Sequence, residues 1–190
     1  MTEGWAVECS SPLNLTTMAD FDRLESVIDA IRDGLKDSIL ECLEEKRDII
    51  TMCVTEQLYS GIDGEGEYLS PTYDNDPYFN EKGPWHGAAY AYKKWKERIT
   101  PPMRSANLNL LPRPVEVPNL FITGMFHDSI KASRQGEVIR VYTSGFQDGP
   151  LIEKKYGEAI FKLTDDAKQY FNIYALRPWL NDFITKCGYR

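Results

Sequence analysis

From Thr17 to Leu58 the apolar residues Phe21, Leu24, Val27, Ile28, Ile31, Leu35, Ile39, Leu43, Ile50 and Val54 recur at helical spacing, and no proline interrupts them. At 3.6 residues per turn this puts them along one side, so a long amphipathic helix opens the fold. Thr16 or Thr17, followed by Asp20 and Asp22, offers an N-terminal cap with negative charge in the first turn, where the helix dipole favours it. Gly34 costs about 1 kcal/mol relative to alanine inside a helix. The stretch is therefore one helix or two joined near Gly34, and Gly61 can end it in the left-handed C-terminal position.

Further along, residues 86–98 (HGAAYAYKKWKER) predict a shorter helix with Ala89, Tyr92, Trp95 and Ile99 on one side and lysines on the other. Packing is the preferred reading of its aromatic residues. A nucleic-acid stacking platform of Lys93, Lys94, Trp95 and Lys96 is a further reading, which predicts steeply salt-dependent DNA binding. Residues 100–119 carry five prolines and no periodic pattern. They predict an extended arm or linker that runs over a surface and presents Leu108, Leu110 and Leu111, with a reach toward another chain as one use.

Residues 119–128 (NLFITGMFHD) predict a turn or short helix leading into a hairpin of strands 129–133 and 138–144, joined by Gln135-Gly136-Glu137. Thr164 before Asp165 and Asp166 predicts the cap of a closing helix, which Pro178 kinks or splits by removing the bond to the Tyr174 carbonyl. The expected fold is α+β: a long N-terminal helix, the proline-rich arm, a small antiparallel hairpin and a C-terminal helix, in one domain over residues 1–190.

No apolar run approaches the length a membrane helix needs, and the first residues show no basic stretch followed by an apolar core, so a cytoplasmic site of synthesis is expected. Cys9, Cys42, Cys53 and Cys187 lie far apart and only two histidines occur, so no zinc ligand set assembles from local spacing; buried free thiols are expected. The charge is divided. Residues 1–76 hold 18 acidic against 5 basic side chains, and residues 77–135 hold 4 against 9. Such a split suits head-to-tail contact between copies or with a neighbour, or it describes two independently solvated faces.

The stretch GIDGEGEYLSPTYDNDP, residues 61–77, is where metal chemistry would be sought. Asp63, Glu65 and Glu67 match the first, third and fifth places of a calcium loop, and Asp74 falls at the twelfth. Tyr68 stands at the sixth place where the loop needs glycine, Pro71 at the ninth, and Asp74 is shorter than the bidentate glutamate. A turn between the long helix and an extended segment explains the glycines better. His86 and His127 lie near no nucleophile motif, and no phosphate-binding, dinucleotide, zinc-protease or serine-hydrolase signature occurs. No catalytic residue, metal ligand or cofactor is assigned. The alternative is a metal-dependent cytoplasmic enzyme or calcium-binding module using the acidic loop over 63–76 with His86.

Three short segments in order carry a resemblance. Gln57, Gly61, Asp63, Gly66 and Tyr73 form the first, Leu120, Thr123, Gly124, Phe126 and Ser129 the second, and Tyr156, Gly157, Ile160, Phe161 and Leu163 the third. Their order over about residues 50–172 resembles the neck and tail-completion proteins of tailed bacteriophages, particularly crAss-like phages of gut Bacteroidetes. Lys162 departs from that pattern, which has glycine there. The resemblance implies a structural virion protein without catalysis, assembled as a ring in the head-to-tail connector. Twelve copies would follow a twelvefold portal, and six are typical further down a long tail. The implied partners are further copies, the portal or adjacent connector and tail proteins, and DNA passing through the channel. The implied location is the virion neck or tail.

Overall fold

The computed structural model describes residues 15–189, with side chains from residue 20. The fold is α+β: seven α-helices and one two-stranded sheet among the described residues. Helix α1 (Leu15–Glu45) is followed by α2 (Arg47–Tyr59) across Lys46, whose φ of −103° and ψ of 18° leave the helical region. The break therefore lies twelve residues beyond Gly34, the joint considered from sequence. Gly34 stays helical beneath the Phe183 ring, where an added Cβ would come within 3.1 Å of two ring carbons. Its missing side chain serves close packing. Because α1 already includes Leu15, Thr16 and Thr17 lie inside it; their side chains, the residues before them and Cys9 fall outside what the structure describes.

α2 passes through the core because one of its faces carries Val54 and Leu58, which bury against Leu69, Val117, Phe126, Ile130 and Ile160. Full burial of each such side chain contributes roughly 1.5–3 kcal/mol. A second cluster joins Cys42 and Ile50 to Ala132, Phe171 and Ala175, and a third joins Cys53 to Leu108 and Ala167. Cys42 and Cys53 are free and buried; desolvation pushes both thiols up, Cys53 to about 11. Leu163 packs against all three clusters. The expected apolar stripe is only partly used: Phe21, Leu24 and Ile28, in the first turns of α1, are exposed.

The hairpin pairs β1 (Ile130–Gln135) with β2 (Val138–Thr143), with Ile130 opposite Thr143 and Gln135 opposite Val138. Only Gly136 and Glu137 turn the chain, and Gly136 alone takes a positive φ, as a two-residue turn with glycine first requires. Before the hairpin stand α3 (Ala89–Ile99) and α4 (Met125–Ser129); after it come α5 (Gly149–Tyr156), α6 (Asp165–Phe171) and α7 (Arg177–Lys186). Thr164 caps α6, its Oγ1 accepting from the Ala167 amide at 3.2 Å. Pro178 leaves no sharp break. A π-helical stretch over Asn172–Leu176, with the Arg177 amide bonded to the Asn172 carbonyl, widens the turn and accommodates the missing donor. α7 then runs antiparallel to α1, shown by the sequence of contacts Val27 with Gly188, Gly34 with Phe183, and Ser38 Oγ with Trp179 Nε1 at 3.0 Å.

The stretch over 100–119 has no helix or strand, as its prolines dictate, yet it does not reach away as an arm. It lies on its own chain. Leu108 is buried beside Cys53 and Ala167, Leu110 is half-buried, and only Leu111 faces solvent. Backbone polarity is met by side chains that periodicity ignores. The Glu56 carboxylate accepts from the Asn107 and Leu108 amides at 3.1 and 3.2 Å. The buried Arg113 guanidinium donates to the Thr100 carbonyl at 3.0 Å and the Val117 carbonyl at 2.8 Å, holding both ends of the segment.

Candidate functional site

α2 ends in a paired cap: the Ile62 amide bonds to the Gln57 carbonyl and the Gly61 amide to the Leu58 carbonyl, both at 3.0 Å, with Gly61 at φ +71°. A Cβ on Gly61 would stand 2.7 Å from Val117 Cγ1, so both conformation and space demand glycine there. In the loop that follows, Asp63 Oδ1 accepts from the Glu65 amide at 2.8 Å and the Glu67 amide at 3.1 Å. Its carboxylate is thus committed to shaping the turn. Glu65 pairs with Lys162 at 2.9 Å on the surface. His86 lies elsewhere, its Nδ1 donating to the Glu81 carbonyl at 3.0 Å. Among the described residues no three His, Cys, Asp or Glu side chains are placed to share an ion.

Beneath this loop, Gln57 is fully buried and acts as a clamp. Its Nε2 donates to the Lys162 carbonyl at 3.0 Å, and its Oε1 accepts from the Thr164 amide at 3.0 Å and the Thr164 hydroxyl at 3.2 Å. The Gly64 amide adds a bond to the Ala159 carbonyl at 2.9 Å. The backbones approach so closely that a Cβ on Gly64 would meet Lys162 Cβ at 2.3 Å. Phe126 and Ile160 sit in the same core cluster, with Leu120, Tyr156 and Phe161 packed against it. The three segments singled out in the sequence therefore meet in one packed unit.

Some residues of those segments border a cleft of about 520 Å³ between α3, the 118–126 segment and α5. Tyr73 and Thr123 line it, as do Gly124, which enters α4 at φ +90°, and Tyr156, whereas Gly157 ends α5 at φ +84° outside it. Aromatic rings dominate the wall. Tyr92 meets Tyr73 edge-on at 5.1 Å and Phe79 at 5.3 Å, and Trp85 lies 5.5 Å from Trp95. Burial raises the phenols of Tyr73 and Tyr156 well above their ordinary range and pushes Tyr92 up to about 12. Asp76 ties the cleft together: Oδ1 accepts from the Tyr78 amide at 3.0 Å and Oδ2 pairs with Lys155 at 2.5 Å.

Lys96 is the residue that the sequence reading put on the wrong side of α3. It is 1% exposed, borders the cleft, and donates to Asn119 Oδ1 at 2.8 Å and to the Phe121 carbonyl. Desolvation, with the nearby Arg113 charge, lowers its amine to about 7. His127 Nε2 donates to the Asn119 carbonyl at 3.0 Å, and burial lowers that imidazole to about 4. The signal was present: Lys96 follows Tyr92 by four residues and so shares its face. Lys93 bonds to Asp74 at 2.6 Å and Lys94 to Glu97 at 3.0 Å, so these lysines do not form the single basic face that a nucleic-acid platform needs.

Of the sequence-assigned residues, Gln57, Tyr73, Leu108 and Phe126 are buried in their own chain. Leu111 and Thr123 remain exposed. The arrangement as a whole offers a preformed aromatic cleft suited to apolar or aromatic groups. Comparison with protein-family models, with curated proteins and with solved structures finds no match to the chain.

Proposed function

We propose that the protein is a structural component of a tailed-bacteriophage virion, assembling as a homo-oligomeric ring of twelve or six copies in the head-to-tail connector. The observation that carries this reading is the meeting of the three resembling segments. Gln57 is bonded to Lys162 and Thr164, more than a hundred residues away, and Phe126 packs with Ile160.

The portal or neighbouring connector and tail proteins are its proposed partners, the virion neck or tail its location, and passage of DNA its setting. The charge split supports the ring less simply than the sequence suggests. Lys96 and Arg113 are buried and Lys93 is bonded to Asp74, so part of the basic middle is consumed inside the chain. The acidic front persists as the surface of α1, with nine acidic against three basic residues.

Mass spectrometry and electron microscopy of purified particles test the proposal. The protein is expected in the particle at a fixed copy number, as a ring between head and tail; its absence from particles rejects a structural role. A thermal-shift measurement with millimolar Ca²⁺, Mg²⁺ or Mn²⁺ addresses the metal-dependent alternative, because an ion that binds only the folded state raises Tm by mass action. No shift is expected, since Asp63, Glu65 and His86 are each engaged with other groups.

A further inference from the structure

Lys96 is a buried amine held by uncharged oxygens. Among the described residues its Nζ bonds to Asn119 Oδ1 at 2.8 Å and to the Phe121 carbonyl, and the residue is 1% exposed. An ammonium has three protons to place and no lone pair, whereas a neutral amine has two protons and one lone pair. The two acceptors therefore satisfy the neutral form and leave its lone pair open. Desolvation and the nearby Arg113 charge favour that form, lowering the amine to about 7. A methionine of similar length would fill the space without the cost of burying an amine.

The same residue borders the aromatic cleft, whose volume of about 520 Å³ falls within the range of small-molecule sites. Tyr92 lies 5.1 Å from Trp85 and 5.4 Å from Trp95, and Phe79 lies 5.3 Å from Tyr92, so the rings brace one another into a fixed apolar wall. Asp76 is paired with Lys155, and Asp148 adds a negative charge to the lining. The cleft thus suits an uncharged ring better than an anion.

We infer that the cleft is a carbonyl-binding site in which Lys96 Nζ forms an imine with an uncharged aromatic aldehyde. The nitrogen lone pair attacks the carbonyl carbon, and the carbonyl π pair moves to oxygen, which takes a proton from nitrogen to give a carbinolamine. Its hydroxyl then leaves with the remaining nitrogen proton as one water, and a C=N bond forms. Neither oxidant nor reductant is needed. A solvent proton on the imine nitrogen restores one N–H for the Phe121 carbonyl, while Asn119 Oδ1 keeps the Phe121 amide at 3.2 Å. This ligand chemistry goes beyond the virion reading and does not rest on it.

Reductive trapping on the full-length chain tests the inference. The protein is incubated with benzaldehyde and sodium cyanoborohydride, whose hydride reduces the imine to a stable secondary amine, and peptide mass mapping follows each lysine. At about pH 8 an exposed lysine is almost wholly charged. Lys96 is expected to be labelled about tenfold or more faster than exposed Lys131. Benzyl alcohol, which has the ring but no aldehyde, should slow labelling of Lys96 alone. Trp85→Ala removes one ring of the wall and should slow Lys96 several-fold with Lys131 unchanged, circular dichroism checking its fold.

Labelling of Lys96 no faster than of Lys131 overturns the inference, and the wild type alone decides this, whatever the variant does. Labelling that benzyl alcohol leaves untouched removes the cleft from the account and overturns it as well. Glyoxylate, an anionic aldehyde without a ring, is expected to show no preference for Lys96. An equal preference with glyoxylate would overturn the assignment to aromatic aldehydes.

Discussion

The acidic loop after α2 and the cleft beside α3 hold ionisable groups under opposite conditions. In the loop, Asp63 is bonded to two amides and Glu65 shares a surface ion pair. At the cleft, Lys96, and behind it His127, which shares Asn119 with it, are shielded from water and both are pushed toward their neutral forms. A run of carboxylates in a sequence thus says little about chemistry, because turn-shaping bonds and surface ion pairs can account for them. One lysine on the apolar face of a helix says more, because desolvation of a charge is costly.

The largest expected effect is at the clamp beneath the loop. Gln57→Leu would leave the buried Lys162 carbonyl and Thr164 amide without partners, a loss of about 3 kcal/mol in urea denaturation. Wild-type stability in that variant would show that the loop holds itself, which breaks the view of it as a structural joint. Gly61→Ala comes next, at about 2 kcal/mol, since alanine must take φ +71° and its Cβ would press on Val117.

The cleft is tested by pH. The folded-state pKa of Lys96 is lowered to about 7 from 10.5, so between those values the unfolded chain binds more protons and stability rises with pH. Between pH 7 and about pH 8.5 the wild type should gain about 1.5 kcal/mol, and Lys96→Met should lack that slope. The upper limit avoids the tyrosines and Cys53, whose raised folded-state values make stability fall as pH climbs through their unfolded ones. His127 acts on the acid side. Its imidazole is lowered to about 4 from 6.5, so its neutral form favours the folded chain above pH 6.5, and that contribution is lost as pH falls toward 4.

The smallest effect sharpens the comparison from the loop side. Asp63→Asn keeps an acceptor oxygen for the two amides and should leave stability almost unchanged, whereas Asp63→Ala should cost about 1 kcal/mol in the same urea assay. A large cost for Asp63→Asn would mean that the negative charge itself matters, and the loop would regain its claim to an ion.

Much of the architecture was legible because it depends on local rules. The long helical stretch, the left-handed Gly61, the hairpin around Gly136 and the Thr164 cap each follow from the conformational limits of a few neighbouring residues, whereas the kink or split expected at Pro178 is absorbed by the π-helical turn before it. The break at Lys46 was not legible, because its sequence carries no glycine or proline to mark it. The path of residues 100–119 was missed for a related reason. Prolines exclude helix and strand, but Glu56 and Arg113 decide where the segment lies.

The sequence by itself determined that the chain is α+β and that a long helical stretch precedes the hairpin, since propensity, capping and turn chemistry act over a few residues. Only the tertiary structure decided that Gln57 would reach Lys162 and Thr164, that Lys96 would be buried rather than solvated, and that Phe21, Leu24 and Ile28 would remain uncovered. Burial is a property of what packs on a face from elsewhere in the chain. Periodicity identifies the face, and the fold alone supplies or withholds its cover.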